Sequence, residues 1–259
     1  MQTGELFEAL LAFERDAARA AGEALPMMWG EIDRNGRHPR LHIANVGWVD
    51  RIPPSGVDGI LTDADRSFRA VQVPHRLFVF SDAQRAFEVQ EDFVRRGFRP
   101  KADVAMARLG LPSCIVNESV DVREVGRGAS EADHQAVWTG VDETMDYGRD
   151  ISEDLYALWE ERAAVLGLRA FVAYLDGAPS GTFTLWVRRP FAYIDDVGTV
   201  PAHRMKGVGR TMIHEACNLA IEGRAEWTLL VADLFDTPHL MYKTLGFEPI
   251  GEIRGFLRE

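Results

Sequence analysis

The stretch from residue 200 to residue 210 reads Val-Pro-Ala-His-Arg-Met-Lys-Gly-Val-Gly-Arg and joins a strand-like run to a helix-like run. The apolar run 191–199 precedes it, and the run 211–221, with helical spacing, follows it. Gly207 and Gly209 lack side chains, so a ligand can approach the main chain closely there. The first N–H groups of a helix have no partner inside it and carry partial positive charge. The stretch therefore predicts a strand–loop–helix unit whose loop binds an anion.

Formal positive charge supports this prediction, because Arg204, Lys206 and Arg210 lie within or beside the loop. The glycine pair alone would also suit an ordinary junction between a strand and a helix. The spacing is not that of a dinucleotide loop, Gly-x-Gly-x-x-Gly. It is not that of a Walker loop either, which needs Gly-Lys followed by Ser or Thr.

Two motifs give the chain a family resemblance. The matching residues of the first are Val200, Pro201, Arg204, Gly207 and Gly209. They resemble the pyrophosphate-loop motif of the GNAT superfamily of acyl-CoA N-acyltransferases. Residues 240–247, Leu-Met-Tyr-Lys-Thr-Leu-Gly-Phe, are similar to a second superfamily motif, Leu-Tyr-x-x-Leu-Gly-Phe. The resemblance covers roughly residues 118–259 and implies that this part binds acyl-CoA.

The resemblance also implies where the cofactor lies. Pantetheine and the thioester would follow the fourth strand of the domain, with the N–H of Val197 or Gly198 nearest the thioester. The pyrophosphate would lie in the loop. The implied cofactor-binding residues are Val197, Gly198, Thr199, Val200, Arg204, Met205, Lys206, Gly207, Val208, Gly209, Arg210 and Tyr242.

Acyl transfer to an amine needs a base for the amine and an acid for the leaving thiolate. Tyr242 matches a tyrosine that family members often place beside the cofactor sulphur, and a core tyrosine is the alternative interpretation. Asp195 and Asp196 are the candidate bases. Side chains alternate along a strand, so we expect one on each side of the sheet, Asp195 together with Val197 and Thr199. The sequence leaves open which one faces the substrate.

Three further polar residues lie near the same predicted cleft. Asp233 and Asp236 follow the fifth strand and could bind a cationic acceptor or cap the next helix. His239 lies three residues before Tyr242 and could relay a proton or lie on the surface. No set of His, Cys and Glu residues has the spacing of a metal site, so no metal is expected.

The end of the first half resembles the end of the second. Residues 95–100, Arg-Arg-Gly-Phe-Arg-Pro, match residues 244–249, Thr-Leu-Gly-Phe-Glu-Pro, at an offset of 149 residues. The first half has no Arg-x-x-Gly-x-Gly. The layout resembles bacterial tandem GNAT proteins whose N-terminal repeat is degenerate. We therefore expect residues 1–112 to form a GNAT-like domain without a cofactor loop and residues 113–259 to form the catalytic domain.

The predicted fold class is α/β, in the broad sense that includes α+β. The element order of the second half is strand, two helices, three strands, helix, strand, helix and strand, which is the GNAT order. Each repeat should have a mixed central sheet flanked by helices. In the C-terminal repeat the sheet should splay between its fourth and fifth strands.

Composition limits the partners. The chain has 259 residues and a net charge of −11, which argues against nucleic acid and favours a cationic acceptor. No apolar run is long enough to span a membrane, and no signal pattern begins the chain, so we expect a cytoplasmic protein. Cys114 and Cys217 are too few for a disulfide framework. A monomer or a homodimer is expected.

The sequence thus predicts an N-acetyltransferase that uses acetyl-CoA and a small-molecule or peptide amine. The amine would attack the thioester directly in a ternary complex. The main alternative is a binding module that holds acyl-CoA without turnover, as a sensor or a structural ligand. A structural tandem protein that binds no CoA would require the loop match to be accidental.

Overall fold

A computed structural model describes residues 2–145 and 148–259. The helices are α1 (Thr3–Ala20), α2 (Gly56–Arg69), α3 (Ala83–Arg95), α4 (Glu131–Asp142), α5 (Arg149–Leu166), α6 (Val208–Glu222) and α7 (Pro238–Thr244). The strands are β1 (Glu23–Met27), β2 (Gly30–Arg34), β3 (Val46–Val49), β4 (Arg76–Phe80), β5 (Arg99–Leu109), β6 (Val120–Glu124), β7 (Arg169–Leu175), β8 (Ala178–Arg188), β9 (Phe191–Thr199), β10 (Trp227–Asp233) and β11 (Glu248–Arg258). The mixed α/β class that the sequence predicts is confirmed.

The chain forms two compact units, and neither consists of one continuous segment of the sequence. The C-terminal unit consists of residues 105–232, 236–250 and 1–10. The N-terminal unit consists of residues 11–104, 233–235 and 251–259. Strands β5 and β11 are each divided between the units. The predicted division after residue 112 concerns the repeats, and it stays a prediction.

The two halves of the chain end in the same kind of secondary structure. Strand β5 runs from Arg99 to Leu109, and β11, which runs from Glu248 to Arg258, begins and ends 149 residues later. The glycines before them, Gly97 and Gly246, have left-handed φ angles of 82° and 78°. A left-handed glycine is a common way to end a helix. The offset of the sequence echo is therefore also the offset of the structural elements.

The N-terminal unit has the strand order β1-β2-β3-β4-β11. Strands β3 and β4 are parallel, and the other neighbours are antiparallel. Helices α2 and α3 cover a core that is rich in phenylalanine. Phe93 stacks on Phe256 with ring centroids 4.4 Å apart, and Phe78 and Phe80 pack around them.

Two features of this unit differ from the sequence prediction. The hairpin of β1 and β2 was not predicted, because Pro26 reads as a helix terminator and the turn lacks an Asn-Gly signal. The largely apolar residues 41–49 suggest one continuous strand, but β3 begins only at Val46. Before it, the buried Asn45 side chain donates to the carbonyls of His38 and Leu41 and so holds a turn instead of an extended chain.

Asp33 makes the stability of this unit depend on pH. It is fully buried on β2, and its Oδ2 accepts a hydrogen bond of 2.7 Å from Trp48 Nε1. Burial, together with the nearby charge of Glu31, raises the pKa of Asp33 to about 7. The folded state therefore holds a proton that the unfolded state releases near pH 4. Stability should fall as the pH rises from about 4 to about 7.

We expect Asp33→Asn to flatten this dependence, because an amide keeps the bond to Trp48 without the ionisation. The measurement is the urea midpoint between pH 4 and pH 8, and the wild-type loss should approach about 1.4 kcal/mol per pH unit at most. Asp63→Asn is the matched control. Asp63 also accepts from a tryptophan, Trp29, but about a third of its side chain (35%) is accessible. A wild-type slope in Asp33→Asn would show that Asp33 is not the group responsible.

The C-terminal unit has the strand order β5-β10-β9-β8-β7-β6. A Cβ atom at Gly198 would meet Val141 of α4, whereas one at Gly181 would meet Met212 of α6. Gly198 lies opposite Thr182, the neighbour of Gly181, so the two glycines face opposite sides of the sheet. Helices α4 and α6 therefore cover opposite faces of this sheet.

The fourth and fifth strands of this unit, β9 and β10, diverge as predicted. Their parallel register joins residues 191–193 to residues 227–229, at the start of both strands. Strand β9 continues to Thr199 and β10 to Asp233. The edge of β9 after residue 193 is therefore turned toward a gap in the sheet.

Serine is a preferred helix cap, and this role applies to Ser130 but not to Ser152. Ser130 caps α4, because its Oγ accepts a hydrogen bond of 3.0 Å from the Asp133 N–H. Ser152 does not cap α5, since α5 begins at Arg149 after Gly148. The Ser152 hydroxyl instead donates to Asp142 at 2.6 Å and links α5 to α4. Among the described helices, none has the length and the apolar character that a membrane crossing needs.

Candidate active site

Strand β9 has a bulge near its middle. Thr182 lies opposite Gly198 and Thr184 lies opposite Asp195, so the register with β8 shifts by one residue between them. Asp196 lies in the shifted segment with a left-handed φ of 52°. Aspartate tolerates this conformation better than most residues do. A bulge interrupts the alternation of side chains along a strand.

The predicted placement of Asp195 and Asp196 on opposite faces is wrong for this reason. Asp195 lies opposite Thr184, and the Thr184 hydroxyl donates to Asp196 Oδ2 at 3.0 Å. Both carboxyls therefore lie on the Thr184 side of the sheet. The Asp196 N–H also donates to Asp195 Oδ1 at 2.9 Å. Asp195 shares its face with Gly198 and not with Thr199.

The two carboxyls have altered acidity. Burial raises the pKa of Asp195, and burial together with the charge of Asp195 raises the pKa of Asp196 well above its usual range. The positive charge of Arg162 lowers the pKa of both carboxyls, and the negative charge of Asp142 raises the pKa of Asp196 further. The Asp195 residue nevertheless has accessible surface, and Asp196 is half-buried. A carboxyl that has accessible surface and a raised pKa is able to accept a proton from a bound group.

Tyr242 lies on α7 and is 5% exposed. Its ring packs against Phe247 with centroids 6.0 Å apart. Burial, and then the charge of Asp195, raises the pKa of its phenol above the usual range. Tyr242 therefore keeps its proton throughout the neutral range. Its hydroxyl forms no hydrogen bond with the residues that the structure describes, so the proton is available to a ligand.

The anion loop has the backbone geometry that the sequence predicts. Gly207 precedes α6 with a left-handed φ of 82°. The first amide bonded within the helix belongs to Thr211, which donates to the Gly207 carbonyl at 3.0 Å. The N–H groups of Val208, Gly209 and Arg210 lie before it and have no intrahelical acceptor. The first turn of α6 contains no acidic residue that would neutralise it.

The cations of the loop are exposed. Arg204, Lys206 and Arg210 form no ion pair within 4.0 Å among residues 2–145 and 148–259. Arg204 donates from Nε to the Thr199 carbonyl at 3.1 Å and from Nη2 to the Thr144 hydroxyl at 2.9 Å. Met205 is fully exposed with a left-handed φ of 61°. The loop thus presents positive charge that the described residues do not balance.

Residues that the sequence did not single out hold the loop. Asn117 donates from Nδ2 to the Lys206 carbonyl at 2.8 Å, and its own N–H donates to the Thr211 hydroxyl at 2.9 Å. His203 Nδ1 forms a hydrogen bond with the buried Ser180 hydroxyl. Asn117 lies about 90 residues before the loop, so no local pattern could connect the two.

The main chain of β9 shows which amides face the gap. The Val200 N–H donates to the Ser180 carbonyl at 3.0 Å, toward β8. Amides alternate along a strand, so the Gly198 N–H also faces β8 and the Thr199 N–H faces the gap. Of the two amides considered for the thioester, the geometry favours Val197. Gly198 has a packing role, since a Cβ there would lie 2.7 Å from Val141.

The remaining polar candidates organise local turns. Asp236 Oδ1 accepts from the Thr237 N–H at 2.6 Å, and the Asp236 carbonyl contacts His239 Nδ1. In the other unit, Asp233 Oδ1 accepts from the Phe235 N–H at 2.7 Å. The part of the chain that the structure describes contains no group of His, Cys, Asp and Glu residues that could hold a metal ion.

Known proteins resemble residues 137–247 in sequence and nearly the whole chain in structure. Residues 137–247 match the Acetyltransferase (GNAT) family. A functionally unknown conserved protein from Staphylococcus epidermidis ATCC 12228 has a similar structure, with a TM-score of 0.72 and 17% identity over 92% of this chain and 94% of that one. A GCN5-related N-acetyltransferase from Kribbella flavida has a TM-score of 0.66 and 18% identity over 99% of this chain and 95% of that one.

A tandem GNAT protein from the clavulanic acid biosynthesis pathway has a TM-score of 0.54 and 14% identity, over 83% of this chain and 75% of that one. No curated protein matches the sequence. Identities this low establish the fold only, while the family match covers the strands, the loop and the tyrosine of the site described above. Residues 137–247 of the chain therefore contain a domain that matches the Acetyltransferase (GNAT) family.

Proposed function

We propose that the chain transfers an acetyl group from acetyl-CoA to a primary amine, by direct attack in a ternary complex. The site would lie within residues 113–259. The observation that carries the proposal is the anion loop beside the gap between β9 and β10. The loop offers three helix-terminal amides and three cations with no acidic partner among the described residues, which suits a pyrophosphate. The gap lies next to it and would accept an extended pantetheine.

Each residue of the loop and of the strand end has a proposed role. The amides of Val208, Gly209 and Arg210 bind the pyrophosphate, and Lys206 and Arg210 add charge. Val200 and Met205 border the cofactor, while Arg204 holds the loop to the strand end. Val197, Gly198 and Thr199 line the pantetheine path, and the Val197 N–H would stabilise the oxyanion.

The chemistry follows from the two carboxyls and the phenol. The amine nitrogen attacks the thioester carbon, forming the C–N bond and breaking the C–S bond. Asp196, with its raised pKa, takes the amine proton, directly or through water. Tyr242 gives its proton to the departing thiolate. Asp195 lies beside Asp196 and contributes negative charge that attracts a cationic amine.

The acceptor is tested with a panel of primary amines that includes polyamines, amino sugars, amino acids and peptides. Acetyl-CoA is the donor, and free thiol is the signal. We expect thiol release with at least one amine and a large loss in Asp196→Asn, a variant that keeps the shape and tolerates φ above zero. CoA binding without thiol release from any amine would favour the sensor instead.

The N-terminal repeat differs at the position of the loop. Helix α2 begins at a left-handed glycine, Gly56, with φ 63°. Pro53 and Pro54 before it have no N–H to offer. Asp58 lies in the first turn of α2 and pairs with Arg96 at 2.7 Å, so an acidic residue already occupies the positive end of this helix.

We therefore expect one CoA per chain. In this unit, β3 and β4 are also paired at residues 47–49 and 78–80, through the end of both strands. The expected result of a calorimetric titration with CoA is a stoichiometry of one. Two equivalents of CoA per chain would show that the N-terminal repeat also binds the cofactor.

A further inference from the structure

Asp196 is the end of a hydrogen-bonded chain that begins on α5. Trp159 Nε1 donates to Thr184 Oγ1 at 3.0 Å. The same hydroxyl donates to Asp196 Oδ2 at 3.0 Å. Thr184 is buried on β8 and is 2% exposed. The three residues come from a helix, a strand and the bulge of the next strand.

The donor and acceptor groups fix the direction of these two hydrogen bonds. An indole N–H can only donate, so Thr184 Oγ1 must accept from Trp159. A hydroxyl has one hydrogen, which is then free to point at Asp196. An ionised carboxylate accepts this hydrogen, and hydrogen bonds to charged acceptors are stronger than those to neutral ones. The chain therefore favours the ionised form of Asp196.

The first member of the chain is held in place by its neighbours. The Trp159 ring lies 4.7 Å from His134, 5.7 Å from Tyr156 and 6.2 Å from Trp138 between centroids. Trp138 and Tyr156 are buried, and His134 has no accessible surface. The indole N–H is thus aimed by a packed aromatic cluster and not by a mobile loop.

We infer that Thr184 and Trp159 are positioning residues, which orient the Asp196 carboxylate and keep it ionised as the base of the acetyl transfer. This role rests on the proposed function. Two negative groups oppose the ionisation of Asp196, namely Asp195 on the same strand and Asp142 on α4. Arg162 on α5 acts in the same direction as Thr184. Without these two hydrogen bonds, the adjacent carboxyls of Asp195 and Asp196 would favour a shared proton over an ionised base.

The test is the titration of Asp196 in the full-length protein labelled with ¹³C at the aspartate carboxyls. Asp195→Asn and Asp196→Asn assign the two signals. In Thr184→Val, the midpoint of Asp196 should rise by about one to two pH units, the value of a hydrogen bond to a charged group. Thr184→Ser should restore it. Trp159→Phe should raise the midpoint by less, because the hydroxyl remains but loses its fixed direction.

Thr182→Val is the matched control. Thr182 lies on the same strand with the same exposure of 2%, but its hydroxyl donates to the Phe171 carbonyl at 3.0 Å. Its removal should leave the Asp196 midpoint unchanged. A wild-type midpoint in both folded Thr184→Val and Trp159→Phe would overturn the inference, and so would equal shifts in Thr182→Val and Thr184→Val.

A second measurement separates this inference from the proposed function. The acid limb of the pH profile of thiol release should move with the Asp196 midpoint in Thr184→Val. If Asp196→Asn retained full activity, Asp196 would not be the base and the proposed function would need another one. If Asp196→Asn were inactive while the acid limb of Thr184→Val stayed in place, the positioning role alone would be refuted.

Discussion

Gly207→Asp is expected to abolish measurable acetyl-CoA binding while the chain stays folded. Aspartate is among the residues that best tolerate the left-handed φ of 82°, so the fold should survive. Its carboxylate would lie where the pyrophosphate approaches the first amides of α6, and it would neutralise the positive end of the helix. Like charges placed together cost several kcal/mol, so the affinity should fall by roughly 100-fold or more. Calorimetry measures this directly.

The N-terminal repeat offers the matched control. Gly56→Asp places the same side chain at the left-handed glycine that begins α2, where no cofactor is expected, and CoA affinity should be unchanged. Gly209→Asp should act like Gly207→Asp. Gly209→Ala should have a smaller effect, because a Cβ at Gly209 meets Met241 and Thr199 at ordinary contact distances of 3.7 Å. Wild-type CoA affinity in folded Gly207→Asp would mean that the pyrophosphate binds elsewhere.

Tyr242→Phe is expected to leave acetyl-CoA binding almost unchanged and to slow acetyl transfer by roughly 10²- to 10⁴-fold, the usual value of general acid catalysis. The ring and its packing against Phe247 remain, and only the proton donor is lost. The loss should shrink for acyl donors whose thiol is already a good leaving group. Single-turnover rates are the proper measurement, because slow product release would hide the effect in kcat.

Tyr174→Phe controls for the loss of a buried phenol. Tyr174 is 5% exposed on β7, and its hydroxyl donates to Asp133 at 2.9 Å. This variant should lose some stability and keep wild-type transfer rates. Wild-type single-turnover rates in Tyr242→Phe would remove Tyr242 from the mechanism and leave it as a packing residue.

Local sequence signals were sufficient for the strand and the helix on either side of the predicted anion loop. The run 191–199 is predicted and observed as one strand, and the glycines mark the start of α6. These features depend on apolar periodicity and on glycine, which act over a few residues. The family match over residues 137–247 includes the same strand, loop and helix.

Features set by tertiary contacts could not be predicted. The bulge at Asp196 depends on the register between β8 and β9, and neither strand shows it alone. It reverses the predicted orientation of a candidate base. Thr184 and Asn117 reach the site from distant parts of the chain, and they are ordinary polar residues in the sequence. Ser152 looks like a cap until the start of α5 is known.

The central claim is that residues 113–259 bind one acetyl-CoA and pass its acetyl group directly to an amine. The most direct measurement is mass spectrometry of a single turnover, with one equivalent of acetyl-CoA and an amine from the panel. We expect one acetylated amine for each free CoA thiol, and an unmodified protein at every time point. An acetylated protein that forms and decays during the turnover, or bound acetyl-CoA that stays intact with every amine, would contradict the account.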